Sequence, residues 1–207
     1  MKAIEISEVV TGNYFNKYET SNPIARRLVE GFLDTLSGLL SKVDDIDSIH
    51  EIGCGEGFLA HTYASMATDI RGTDISPECI EMAKARAATG DFHIEYKAQN
   101  VYDLNRENDS ADLVICCEVM EHLEDSERAL EILSDLTNKY LICSVPREPL
   151  WRILNFARGK YWGALGNTPG HLQHWSSRGF QKLISQRFEI IEVRQPLPWT
   201  FVFAKKR

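Results

Sequence analysis

Three glycines spaced two apart follow a strand-like segment in Ile49-His50-Glu51-Ile52-Gly53-Cys54-Gly55-Glu56-Gly57. Glycines in such a turn let the chain reverse sharply and let its backbone, here from Gly53 through Cys54 and Gly55 to Gly57, approach a bound molecule closely. The spacing is G-x-G-x-G and not the G-x-G-x-x-G of a dinucleotide-binding turn, which argues against a pyrophosphate ligand. About twenty residues on, Asp74 and its neighbour Ile75 stand at the end of a second strand-like segment, where a carboxylate can accept from both hydroxyls of a ribose. Asn100 and Val101 close a third such segment, and a carboxamide offers both a donor and an acceptor to an adenine edge. Glu51, two residues before the first glycine, adds an acid to the turn and sharpens the signal.

These residues need a frame that brings the ends of several strands to one edge. The chain from Ser48 onward alternates strand-like and helix-like segments: strands at 48–52, 69–73, 92–96, 111–117 and 140–145, with helices at 58–66, 76–88 and 126–136. Strands joined through crossover helices imply a parallel sheet with right-handed connections. The continuous apolar run Ala111 to Cys117 is that of a strand covered on both faces. Asn22 followed by Pro23 opens a helix over 22–42, and Ser76-Pro77-Glu78 opens the helix after the second strand; both are cap, fixed-φ and dipole signals. After a helix at 177–186, the segments 188–194 and 199–204 are separated only by a proline-rich turn and should pair antiparallel. The expected architecture is a doubly wound α/β fold, a mostly parallel seven-stranded sheet with an antiparallel C-terminal strand. It divides as one domain into an N-terminal helical cap (1–44), a cofactor-binding core (45–145), a lid or substrate insertion (146–176) and a C-terminal helix and hairpin (177–207).

Taken together, the motifs resemble the class I S-adenosylmethionine-dependent methyltransferase family, in its small-molecule branch. Glu51-x-Gly53-x-Gly55-x-Gly57 is similar to its first motif, Asp74 to its ribose acid and Asn100-Val101 to its adenine loop. Glu118-Val119-Met120-Glu121-His122-Leu123 resembles its V-L-E-H-L-type segment. The likeness is strong over residues 45–145 and loose elsewhere. One departure is Asn100, where the family commonly has Asp. The resemblance implies S-adenosylmethionine as cofactor, which carries an adenosine, an amino-acid tail and a sulfonium but no phosphate. It also places Glu118 and His122 at the cofactor edge, and Tyr18, in an N-terminal segment folded over the cofactor, as an aromatic face for the sulfonium.

On the acceptor side, the Asn/Asp-Pro-Pro-Tyr motif of amino-methylating enzymes is absent after the fourth strand, where Cys117-Glu118-Val119 stands. The segment Pro169-Gly170-His171-Leu172-Gln173-His174 is the expected source of a general base, with His171 and His174 as catalytic candidates and no metal expected. The implied reaction is O-methylation of a small molecule with a histidine base. N- or C-methylation of a small or lipid-linked acceptor, and a non-catalytic cofactor-binding module, are the alternatives. The apolar stretch 150–162 with its three cations is expected to be an amphipathic lid over the acceptor, ahead of a contact with a membrane.

Composition narrows the field further. The 207 residues carry 23 Lys and Arg against 30 Asp and Glu, a net charge of −7, which speaks against nucleic acid as a partner. The five cysteines match no zinc spacing and are expected to be reduced core thiols. With no apolar run long enough to cross a bilayer and an acidic start, the chain is expected to be cytoplasmic.

Overall fold

The computed structural model describes residues 22–90, 92–159 and 161–207. Its centre is a seven-stranded sheet made of β1 (Ser48–Ile52), β2 (Asp69–Asp74), β3 (Glu95–Ala98), β4 (Ala111–Cys117), β5 (Thr137–Pro146), β6 (Phe188–Arg194) and β7 (Trp199–Lys206), in the order β3-β2-β1-β4-β5-β7-β6. The first five strands are parallel, while β7 runs antiparallel between β5 and β6. Only β7 therefore runs against the rest of the sheet, and its antiparallel pairing with β6 is the one the proline-rich turn predicted. The order of connection reverses between β1 and β4. Such a switch point opens a crevice at the carboxyl ends of the strands.

Alternation along the strands builds two cores. In β4, Val114 and Cys116 face one cluster with α5 (Ser126–Leu136) and α7 (Ser177–Ile184). Leu113, Ile115 and Cys117 face the other, under α1 (Pro23–Leu40). A strand of period two buried on both faces must read as a continuous apolar run, and β4 does from Leu113 to Cys117. All five cysteines are free and buried.

The helix starts follow their capping chemistry. The Asn22 side chain accepts from the amides of Ile24 and Ala25 ahead of Pro23, and Ser76 accepts from Cys79 at the start of α3 (Pro77–Ala87). Two boundaries depart from expectation. The helix expected over 58–66 shrinks to α2 (Ala60–Tyr63), because it begins on the left-handed Gly57 turn and Leu59 offers no capping side chain. The third strand starts three residues later than expected, since its pairing with β2 runs from Arg71–Glu95 to Asp74–Ala98 and Phe92 lies exposed. A short helix, α4 (Arg106–Asp109), capped by Asn105, was not foreseen.

The insertion holds α6 (Leu150–Ala157) and a 3-10 turn, Trp162–Ala164. Among the described residues no helix is long and apolar enough to cross a membrane. The α1 side of the core turns on Phe32, which meets Trp199 and Phe201 edge-on at centroid distances of 5.0 and 4.7 Å. Truncation to Phe32→Ala should cost about 3–5 kcal/mol. Urea unfolding should register this as a lower midpoint with an unchanged slope.

Candidate functional site

The glycine turn is pinned to β2 from both sides. Gly53 and Cys54 donate their amides to the Thr73 carbonyl at 2.7 and 3.0 Å. Gly55 donates to one oxygen of the Asp74 carboxylate and Ser76 to the other, each at 2.9 Å. The turn therefore lies directly against the carboxylate that sequence reading paired with it. Gly53 and Gly55 have φ of 72° and 50°, a region that glycine enters without a Cβ penalty. A Cβ at Gly53 would lie 2.2 Å from Val119 Cγ2, so the segment after β4 abuts the turn, whereas at Gly55 it would face open space. Cys54 turns its thiol inward among Ile80, Ala83 and Tyr96, where burial pushes it up. Only its backbone belongs to the turn.

Beneath the turn, His50 is buried with Nδ1 2.7 Å from the Asp109 carbonyl and Nε2 3.0 Å from the Thr73 hydroxyl. A carbonyl can only accept, so Nδ1 carries the proton and Nε2 accepts from Thr73. Burial lowers the pKa of this imidazole and holds it neutral. His50 thus positions the strand pair carrying the site, a role that no local spacing signalled.

Glu51 is buried and accepts from the Tyr63 hydroxyl at 2.5 Å. Desolvation pushes its carboxyl up to about 8; the Tyr63 bond opposes the shift and the nearby Asp74 charge adds to it. Two mutually sensed carboxyls beside the turn suit a cationic nucleoside far better than a pyrophosphate. Ile75, exposed beside Asp74, offers an apolar face at the crevice rim. The Asn100 carboxamide oxygen accepts from Tyr102, which orients the amide, and Val101 is buried behind it. The structure brings together at the carboxyl ends of β1 to β3 the groups that the resemblance assigns to S-adenosylmethionine: Asp74 would meet the ribose, Ile75 and Asn100-Val101 the base, and Gly53–Gly57 with Glu51 the remainder. Tyr18 lies outside the described residues.

Glu118 leaves β4 with φ of 60°. Its carboxylate accepts from Trp199 Nε1 at 2.5 Å and Ser144 Oγ at 3.2 Å, which ties it to β5 and β7. His122 donates from Nδ1 to the Gly170 carbonyl at 2.9 Å and faces the His171 ring edge-on at 5.0 Å. His171 packs its other side on Trp151 at 5.9 Å. Glu121, His122 and His171 place one ligand atom each within 4.8 Å of one another, a group that could also hold a metal ion. The junction is fixed by backbone, because Leu172 and Gln173 both donate to the Glu121 carbonyl. The two candidate histidines thus part company: His171 joins the cluster, while His174 is exposed and bonded to Asn167. Sequence reading missed Glu121 and the pairing of His122 with His171, which sit some fifty residues apart in the chain.

Two measurements check this geometry. Asp74→Ala should weaken S-adenosylhomocysteine binding by roughly 10- to 150-fold by calorimetry, the loss of hydrogen bonds to a charged group. A carboxyl whose pKa is raised on folding contributes stability fully present below its unfolded pKa and lost as pH climbs toward the folded one. From about pH 5 to 8 the ligand-free wild type should therefore lose up to ~1.4 kcal/mol per pH unit against Glu51→Gln. Above that the two should run parallel in denaturation midpoints.

Comparison with known proteins agrees with this fold. Residues 49–139 match the family model described as a methyltransferase domain. A ubiquinone biosynthesis O-methyltransferase of Coxiella burnetii is 24% identical over 178 residues, 79% of this chain and 71% of its own. Magnesium protoporphyrin IX methyltransferase of Synechocystis, solved with bound S-adenosylhomocysteine, superposes with a TM-score of 0.70 at 18% identity, covering 92% of this chain and 91% of its own. The N-methyltransferase NodS of Bradyrhizobium japonicum, in complex with S-adenosylhomocysteine, gives 0.67 at 17% identity, over 90% and 89%. Residues 49–139 thus carry a methyltransferase domain, and the glycine turn laid on Asp74 and the one antiparallel strand, β7, belong to a chain with the fold of an S-adenosylmethionine-dependent methyltransferase.

Proposed function

We propose that the enzyme methylates a hydroxyl oxygen of a small-molecule acceptor, with His171 as the general base. The observation that carries this reading is the seating of His171, brought by the lid onto Glu121 and His122 at the end of β4. That segment touches the glycine turn through Val119 and Gly53. A proton acceptor and the methyl-donor crevice therefore share one wall. S-adenosylmethionine, when bound, supplies an electrophilic methyl group on a cationic sulfur. What the chain adds is position and a destination for the acceptor's proton. His171 takes that proton as the oxygen attacks. Its ring is held between Trp151 and His122, and the Glu121 carboxylate stabilises the imidazolium formed. The missing Asn/Asp-Pro-Pro-Tyr motif and the O-methyltransferase name of the Coxiella relative support oxygen over nitrogen.

His171→Asn should lower kcat by roughly 10²- to 10⁴-fold and leave S-adenosylhomocysteine affinity unchanged, measured on an acceptor found by screening hydroxylated metabolites with labelled donor. Two histidines and a carboxylate are also a ligand set for first-row divalent ions. Activity should survive EDTA. Loss on chelation with recovery on adding zinc or manganese would give the role to a metal and overturn the base assignment.

A further inference from the structure

The lid has two faces, and only the inner one is accounted for by the site. Inward, Trp151 donates to Thr168 and packs on His171. Asn155, buried, donates to the Gly166 carbonyl and to Thr168. Outward, Ile153, Phe156, Trp162 and Leu165 are 58, 46, 62 and 74% exposed. Three of them, Ile153, Phe156 and Leu165, line a groove of about 380 Å³ together with Pro149, Arg152 and Ala157. These apolar groups are held outward by a built structure. Phe156 and Trp162 stack at 5.2 Å, and the Trp162 indole donates to the Phe156 carbonyl. Gly166 sits so close to the α6 backbone that a Cβ there would meet the Arg152 carbonyl at 2.2 Å. The turn is locked onto the helix, and the fold keeps its aromatic and aliphatic side chains in water.

Charge identifies the occupant. In a chain of net charge −7, residues 149–188 contain no Asp or Glu and six Lys or Arg. Among the described residues, neither Arg152 nor Arg158 is ion-paired with a carboxylate. Arg158 is exposed and Arg152 lines the groove. A short amphipathic helix with aromatic and aliphatic residues outward, cations beside them and acids excluded matches the physics of an interface-lying segment on an anionic bilayer. A helix of eight residues can lie in that interface and cannot span it.

We propose that the outer face of the lid, α6 with the turn 161–166, docks the enzyme on anionic lipid membranes. The proposal stands on the surface alone and holds whichever acceptor atom is methylated.

The test is co-sedimentation of the full chain with sucrose-loaded vesicles of phosphatidylcholine, with and without phosphatidylglycerol at about a third of the lipid. The expected result is pelleting with anionic vesicles, much weaker pelleting with neutral ones, and release as salt is raised. Arg152→Gln with Arg158→Gln should weaken binding by roughly thirtyfold, two cations at the surface. Trp162→Ala with Leu165→Asn should abolish it; both residues are exposed, and Asn suits the left-handed backbone at Leu165. Both double variants should bind S-adenosylhomocysteine as the wild type does, which separates this outcome from any failure at the catalytic site. The proposal is overturned if the folded, ligand-binding wild type stays in the supernatant, or if the variants pellet equally well. It is also overturned if light scattering finds a dimer that the Trp162/Leu165 variant dissolves, for then a second copy covers the face.

Discussion

The Asp74 carboxylate, holding Gly55 with one oxygen and Ser76 with the other, is the constraint on which the site depends. A backbone turn built on glycines has little conformational preference of its own. Here it is fixed by an ionised acceptor at the end of the neighbouring strand, and hydrogen bonds to a charged group are about twice as strong as neutral ones. Thr73 reinforces the arrangement, its carbonyl taking two amides from the turn and its hydroxyl donating to His50 beneath. The end of β2 is thus a rail along which the turn after β1 is laid, and the ligand crevice inherits its shape from that junction. The carboxylate that would receive a ribose is the one that shapes the loop beside it, so binding and architecture are not separable at this residue.

Charge in the crevice follows from the same closeness. Glu51 has almost no contact with water and senses Asp74, so it holds its proton through neutral pH while Asp74 serves the backbone. One buried carboxyl kept neutral beside a second that is hydrogen-bonded is a low-cost way to store negative potential. A cation beside Glu51 would favour its carboxylate form. An anion gains nothing. The distinction between a sulfonium nucleoside and a pyrophosphate dinucleotide is therefore written in electrostatics as well as in glycine spacing.

Much of this was legible in the sequence because its signals are local. The glycine spacing, Asp74 at its interval, the caps at Asn22 and Ser76 and the apolar run of β4 each sit within one or two elements. What could not be read was long-range. The meeting of Glu121 and His122 with His171 depends on how a lid folds back over a strand end, and nothing in a Gly-His-Leu-Gln-His string says which histidine points inward. Only the backbone bonds from Leu172 and Gln173 to Glu121 separate His171 from His174. The same is true of His50, whose partners Asp109 and Thr73 lie on different elements. The shortened α2 had the right apolar pattern but lacked a cap, and the Gly57 turn consumed its first residues.

The lid also shows why composition and periodicity divide the work of inference. Its tryptophans and cations announced an amphipathic segment, yet a sequence pattern leaves undecided whether the apolar side faces the protein or the solvent. Packing splits them: Trp151 turns in to the histidine cluster, while Phe156 and Trp162 stack on each other outside. Asn155 is the hinge of that division, because its buried carboxamide fastens the turn to the helix and holds both faces in place at once. The lid helix thus has one face on His171, the proposed base, and the other toward an external surface. Trp151 on α6 is the wall against which the His171 ring packs, so the helix that carries the outer face also sets the surroundings of the proposed base.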